Sequence, residues 1–323
     1  MKIAIAAALL GAVVLSMIVP PSVLANDQTP GTSGGTAKTV SSPATLNPAP
    51  SFTFANSAFV QAGVGLRNAG NGTISVHSPG GVVQKALLYW TEIDTGTLTT
   101  PTHPIIDKTA TFNGLTVTGT LIGSDISPCW TGNIYIYRAD VTGKLTNGEF
   151  QKITLASARK GGISPWDASS VLPMVDSAHL IIVYKTASTT STVQVFDASG
   201  TTGNTIGGGS TSFVATFPAY ASHPASVGYA VADGQLFGSN GVDKDFKWQT
   251  NSQGSPTILA MGQIYGRDPS PTSLASVRGS LSDTQQYDLS SFFSYINAGD
   301  TSATLTWDFG GDCLTTVAVT TQT

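Results

Sequence analysis

The sequence predicts an all-β protein, a large antiparallel β-sandwich or jelly roll with little helix. Three observations predict it. Apolar residues recur with period two rather than 3.6 from about residue 52 to the end. β-Branched and aromatic residues gather in short runs, and Gly, Pro, Asn, Asp and Ser separate those runs. No regular strand–helix alternation interrupts the series, which argues against a parallel sheet.

Taken in order, the expected strands begin at Val60–Val64 and Thr73–Val76, followed by Val82–Trp90, Thr109–Phe112 and Leu115–Leu121. Ile134–Tyr137, Ile153–Ala156, Leu180–Tyr184 and Thr192–Phe196 continue the pattern. Phe213–Phe217, Val227–Val231, Phe246–Trp248, Ala303–Trp307 and Leu314–Val319 complete it. Asn113-Gly114 between two runs suits the type I′ turn of a hairpin. Leu289–Ile296 is the one stretch with room for a helical turn or two.

The chain divides into three parts. Residues 1–25 read as a secretory signal peptide: Lys2, an apolar run to Val19, then Pro20-Pro21 and small residues ending at Ala25. The competing reading is an uncleaved anchor, but the run is short for about 30 Å of hydrocarbon. Residues 26–50 are rich in Pro, Gly, Ser and Thr and lack aromatics, the composition of a disordered linker. Residues 51–323 form the β domain. The protein is therefore expected outside the cytoplasm, secreted or at the cell surface, with no integral membrane segment after cleavage.

Charged residues make up only 11% of the chain and the formal net charge is −4. Hydroxyls and amides take their place, and the scattered basic residues form no run to meet a polyanion, so nucleic acid is disfavoured as a partner. Cys129 and Cys313 are the only cysteines. In an oxidising compartment such a pair is expected to form a disulfide, with two free thiols as the alternative. The loop closed would be long enough to destabilise the unfolded chain by roughly 5 kcal/mol.

Val83–Trp90 (VQKALLYW), Tyr137–Thr142 (YRADVT), Ala178–Tyr184 (AHLIIVY), Thr192–Asp197 (TVQVFD) and Ser302–Phe309 follow one another in a fixed order. The series resembles an uncharacterised family of secreted bacterial and archaeal β-sandwich domains, found in surface and repeat-bearing proteins, with the motif order agLYW, fRADVT, SLVVVY, VfDG. The resemblance implies a β-sandwich and an adhesive or envelope role, and it implies no catalytic residue.

The sequence contains no G-x-S-x-G elbow, H-E-x-x-H or phosphate-binding loop, and His77, His103, His179 and His223 are widely spaced. Acid–base hydrolysis of glycosides needs two facing carboxyls, and the chain has 17 Asp but only Glu92 and Glu149. Glu92 with Asp94 is the better acid candidate. Asn240, Asp243 and Asp245 offer clustered oxygens for a candidate Ca2+ site, although ordinary turn chemistry explains them too. No other cofactor is expected. Trp90, Trp248 and Trp307 are assigned to the core, whereas Trp166 sits in a loop where it would either pack or present a sugar-stacking face. Asp140 and Asp288 each follow a Tyr-bearing strand and precede a hydroxyl residue two positions on, so both read as structural caps in two halves of the sandwich.

The expected function is a secreted, non-enzymatic structural or adhesion protein, with cell-envelope or extracellular-matrix components or glycans as partners. The alternative is a carbohydrate-binding module or a glycoside-active enzyme. The disulfide is directly checkable: non-reducing mass analysis of the mature protein should find it lighter by about two protons than the reduced chain. Labelling of both thiols in unfolded, unreduced material would refute the bridge.

Overall fold

A computed structural model of the chain describes residues 46, 49–67, 70–76, 79–127, 132–156, 172–198, 205–232, 246–260, 282–290 and 295–323, with backbone alone at 205–211, 260, 282–283 and 308–314. In the first half lie β1 (Phe52–Phe54), β2 (Ala58–Gly65), β3 (Asn71–Ser75), β4 (Val82–Asp94), β5 (Gly96–Thr97) and β6 (Thr100–Pro101). The one-turn helix α1 (Pro104–Asp107) follows, then β7 (Thr109–Phe112), β8 (Leu115–Thr118), β9 (Thr120–Ile126), β10 (Asn133–Asp140), β11 (Phe150–Leu155) and β12 (Met174–Lys185). The second half holds β13 (Val193–Asp197), β14 (Thr205–Thr216), β15 (Ser226–Ala232), β16 (Phe246–Thr250), β17 (Thr257–Ala260), β18 (Ser282–Asp288) and β19 (Ser302–Gln322).

The strands pair into two jelly rolls of the same topology. In the first roll an inner sheet runs β2-β12-β4-β10, with β9 added at the edge, and an outer sheet runs β3-β11-β7-β8. In the second, β13-β19-β15-β18 form the inner sheet, with β1 added beside β13. The second roll's outer sheet runs β14-β19-β16-β17. Each inner sheet thus takes the first, eighth, third and sixth strands of its roll, and each outer sheet the second, seventh, fourth and fifth. The expected runs Ala303–Trp307 and Leu314–Val319 prove to be one continuous strand. Its first part pairs with β14 and β16, its last part with β13 and β15, so β19 passes from one sheet to the other. Gly310 and Gly311 lie at the crossing, where the pairing with β14 also slips register.

The two inner sheets face each other, so the molecule is four layers deep. The strands of the first inner sheet consequently bury both faces. On β4, Ala86, Leu88 and Trp90 fill the interior of the first roll, while Leu87 and Tyr89 pack into the seam between rolls. This accounts for a run as apolar as ALLYW, which a half-exposed strand would not carry. Phe59, Ile136, Ile181 and Val183 join the seam from one side, and Val193, Val195, Ala230 and Val317 from the other. Phe246, Trp248, Trp307 and Tyr229 lie in the interior of the second roll. Packing reaches back to Leu46, which bridges Ala198 and is buried.

Two glycines allow close approach where large side chains must lie. A Cβ on Gly119 would stand 2.5 Å from the Trp90 ring. That residue divides the expected Leu115–Leu121 strand into β8 and β9. A Cβ on Gly228 would stand 2.5 Å from Nε2 of Gln61, whose amide crosses the seam to the carbonyls of Tyr229 (2.9 Å) and Gln285 (2.6 Å). Gly228→Ala should therefore displace Gln61 and strand buried carbonyls, at a cost of about 1–3 kcal/mol in a urea titration. An unchanged midpoint would show that the seam tolerates looser packing at this point.

Candidate functional site

The sequence-predicted carboxylates fall into two separate places. Asp140 and Asp288 end equivalent strands. One Asp140 oxygen accepts the backbone N–H of Thr142 at 3.0 Å and its hydroxyl at 2.5 Å, and the other accepts Lys85 Nζ at 2.6 Å. Asp288 accepts the N–H of Ser290 at 2.8 Å and its hydroxyl at 3.4 Å.

The likeness extends to the neighbouring strand. Val141 donates its N–H to Ala86 O (2.9 Å) while Ala86 N–H donates to Thr142 Oγ1 (3.0 Å). Leu289 donates to Ala225 O (2.8 Å) while Ala225 N–H donates to Ser290 Oγ (2.9 Å). In register, Asp140 lies opposite Leu87 and Asp288 opposite Ser226, one residue past each alanine. Burial acts to raise the pKa of Asp140, but hydrogen bonds from Lys85 and Thr142 outweigh it and hold the group down at about 2.

Glu92 and Asp94 lie in the interior of the first roll, not on its surface; both are fully buried. They extend the row begun by Trp90 along one face of β4, opposite a row on β10. The cross-strand pairs are Trp90–Tyr137, Glu92–Tyr135 and Asp94–Asn133, and the Trp90 and Tyr137 rings stack at 5.7 Å. The equivalence of Ala86 and Ala225 places Tyr229 where the first roll has Trp90, and Val231 where it has Glu92. Val231 is an ordinary core residue. One roll therefore ends in carboxylates where the other continues apolar.

Asp94 organises the adjoining loop. Its oxygens accept the backbone N–H groups of Thr95 (2.7 Å) and His103 (2.9 Å), and lie 3.2 Å from His103 Nδ1. The His103 side chain is 38% exposed. Four residues on, Asp107 is buried, and neither of its carboxyl oxygens has a hydrogen-bonded donor. Burial, the charge of Asp94 and a hydrogen bond to Asp94 push the Asp107 carboxyl up to about 8. Burial and the same carboxylates raise the Tyr137 hydroxyl. Trp90 Nε1 donates to Asp107 O at 2.8 Å and Tyr135 OH to Thr97 O at 2.7 Å.

Sequence reasoning did not anticipate Asp107, the Arg67–Asp176 ion pair or the hydroxyl chain around His179. Arg67 Nη2 and Asp176 Oδ1 are 2.5 Å apart, both fully buried. His179 bonds Ser177 Oγ on its own strand (3.0 Å) and Thr284 Oγ1 across the seam (2.8 Å), and burial lowers its pKa to about 3, leaving a neutral ring. A usable signal was an Asp and a His inside the apolar run MVDSAHLII. Tyr89 and Arg138 both bond Asp197 across the same seam.

Trp166, Asn240, Asp243, Asp245 and Cys129 lie outside the described residues, as does the side chain of Cys313, whose backbone pairs with Gly207 in mid-strand. Among the described residues no group of three or more His, Cys, Asp or Glu is placed to hold a metal ion. Nor is any described helix long and apolar enough to cross a membrane.

No family model matches the chain. No curated protein matches it in sequence. Among solved structures it is similar to a peptide-N(4)-(N-acetyl-β-D-glucosaminyl)asparagine amidase, at 14% identity and a TM-score of 0.25 over 82% of this chain and 96% of that one. It is also similar to the STIV MCP, at 10% identity and a TM-score of 0.22 over 84% and 95%. Likenesses of this degree say nothing about what the chain binds or does.

Asp140→Ala and Asp288→Ala should each cost about 0.5–2 kcal/mol in denaturant unfolding. Because the folded Asp140 lies below its ordinary 3.8, its contribution is complete above about pH 4 and vanishes as pH falls through about 2. The Asp140→Ala penalty should therefore be smaller at pH 2 than at pH 7. A penalty that grows on acidification would refute the cap.

Proposed function

We propose that the chain is a secreted, non-enzymatic structural or adhesion protein of the cell exterior. The observation that supports this most is the joining of two jelly rolls through a buried seam. Aromatic and aliphatic side chains fill it, and hydrogen bonds such as Gln61–Tyr229, Tyr89–Asp197 and His179–Thr284 tie it across. Such a unit resists relative movement of its halves, which suits load-bearing or display. A signal-peptide-like start and a low-charge, hydroxyl-rich composition agree with an exterior location. Envelope or matrix components and glycans are the proposed partners, and the proposed Cys129–Cys313 bridge would brace the same unit.

One observation favours a second reading, a glycan-binding or glycoside-active protein. Asp94 and Asp107 present a carboxyl pair beside His103, and the raised Asp107 is a proton donor near neutrality. The two readings separate in one experiment. Mature protein should be found in the medium or at the cell surface and should turn over no polysaccharide or ester substrate. Hydrolysis that drops by about 10²–10⁴-fold in Asp94→Asn or Asp107→Asn would replace the first reading by the second.

A further inference from the structure

We propose that Asp94 and Asp107 share one proton, and that this proton is the catch holding the α1 segment over the polar end of the first roll. Pro104-Ile105-Ile106-Asp107 is packed inside out. Ile105 and Ile106 are 72% and 43% exposed, while Asp107 is wholly buried. The hydrophobic effect would turn this segment the other way, so something else holds it.

The contacts identify what does. Asp94 takes the N–H and approaches the ring of His103 at the start of the segment; at its end, Trp90 bonds the Asp107 carbonyl and the Asp107 side chain turns toward Asp94. Both Asp107 oxygens lack a donor, and among the described residues no lysine or arginine side chain bonds either carboxyl. Other titratable groups face the pair. β4 supplies Glu92, β10 supplies Tyr135 and Tyr137, the preceding loop supplies His103, and Lys108 follows Asp107 in the chain. Two carboxyls in one low-dielectric site cannot both ionise cheaply, and one keeps its proton.

In the closed state the Asp107 O–H donates to an Asp94 oxygen. When hydroxide removes that proton as water, two carboxylates are left facing one another, and the segment between them swings out. The sign follows. Asp107 binds its proton more tightly folded than unfolded, so stability declines as pH climbs from about 4 to about 8, and the catch opens at the upper end of that range.

The test uses the full mature protein. Amide exchange, corrected for its intrinsic base catalysis, should show protection of residues 103–107 falling by up to about tenfold per pH unit between about pH 4 and about pH 8 and levelling off above it, with the seam strands unmoved. Asp107→Asn keeps a donor but cannot ionise, and its protection should stay flat over the same range. An infrared band from a protonated carboxyl should be present in wild type at about pH 6, absent at about pH 9.5, and missing from Asp107→Asn throughout. This band keeps the idea testable if the variant's exchange is perturbed generally. Protection that is constant with pH in wild type, a slope retained in Asp107→Asn, or no titrating carboxyl band would each overturn the proposal.

Discussion

The face-to-face packing of two inner sheets is the constraint on which the rest of the molecule depends. A sheet covered on one side can alternate apolar and polar residues, but β4 and β12 are covered on both. Leu87, Tyr89, Ile181 and Val183 go to the seam, and Leu88, Trp90, Leu180 and Ile182 to the first roll's interior. Full burial of each such side chain is worth about 1.5–3 kcal/mol, so the seam and the rolls stabilise each other. Strands β4 and β12 could not be re-registered by one residue without exchanging the two apolar sets.

A seam of this kind penalises every polar group caught in it, and the chain meets the penalty with partners drawn from the opposite roll. Gln61 reaches carbonyls of β15 and β18, while Gln286 reaches the Phe59 carbonyl of β2. Asp197 of β13 takes Tyr89 from β4 and Arg138 from β10. Thus β2 lies against β18, and β13 against β4 and β10: first strands of one roll meet sixth strands of the other. Such an exchange of equivalent strands is what a two-fold relation between two copies produces. The cap geometry at Asp140 and Asp288 repeats that relation at the level of single hydrogen bonds. The halves behave as a dimer joined in one chain.

The architecture was legible because short β-branched and aromatic runs bounded by Gly, Pro, Asn, Asp and Ser mark strands whether one face is buried or both, and because Asp-x-Thr and Asp-x-Ser ends mark strand termini by their own short-range chemistry. What escaped depends on distance. Ser282–Asp288, SDTQQYD, has no apolar alternation, yet it is a strand because β15 supplies its ladder and the first roll covers it. The fusion of two expected strands into β19 was hidden by Gly310-Gly311, a pair that reads as a turn until a bend between sheets is required. Glu92 and Asp94 were noticed as acids, but their burial was not. Nothing local distinguishes TEID at a surface turn from TEID at the end of a roll. Asp107 left no mark at all, since PIID gives no reason to expect isoleucine outside and aspartate inside.

That inversion carries most meaning when the two rolls are set side by side. Topology, register and cap bonds are shared, so differences between equivalent positions reflect a departure in one roll rather than a demand of the fold. Val231 shows that the position of Glu92 can be filled by an ordinary core residue. Carboxyls at Glu92, Asp94 and Asp107 are therefore not needed to build a jelly roll, and they destabilise it through desolvation and mutual repulsion. A feature that the fold does not require, and that its own thermodynamics opposes, persists for a property that stability alone does not measure. In this molecule that property resides at one end of the first roll, where a one-turn helix is held by Asp94 and by the Trp90 indole rather than by its isoleucines.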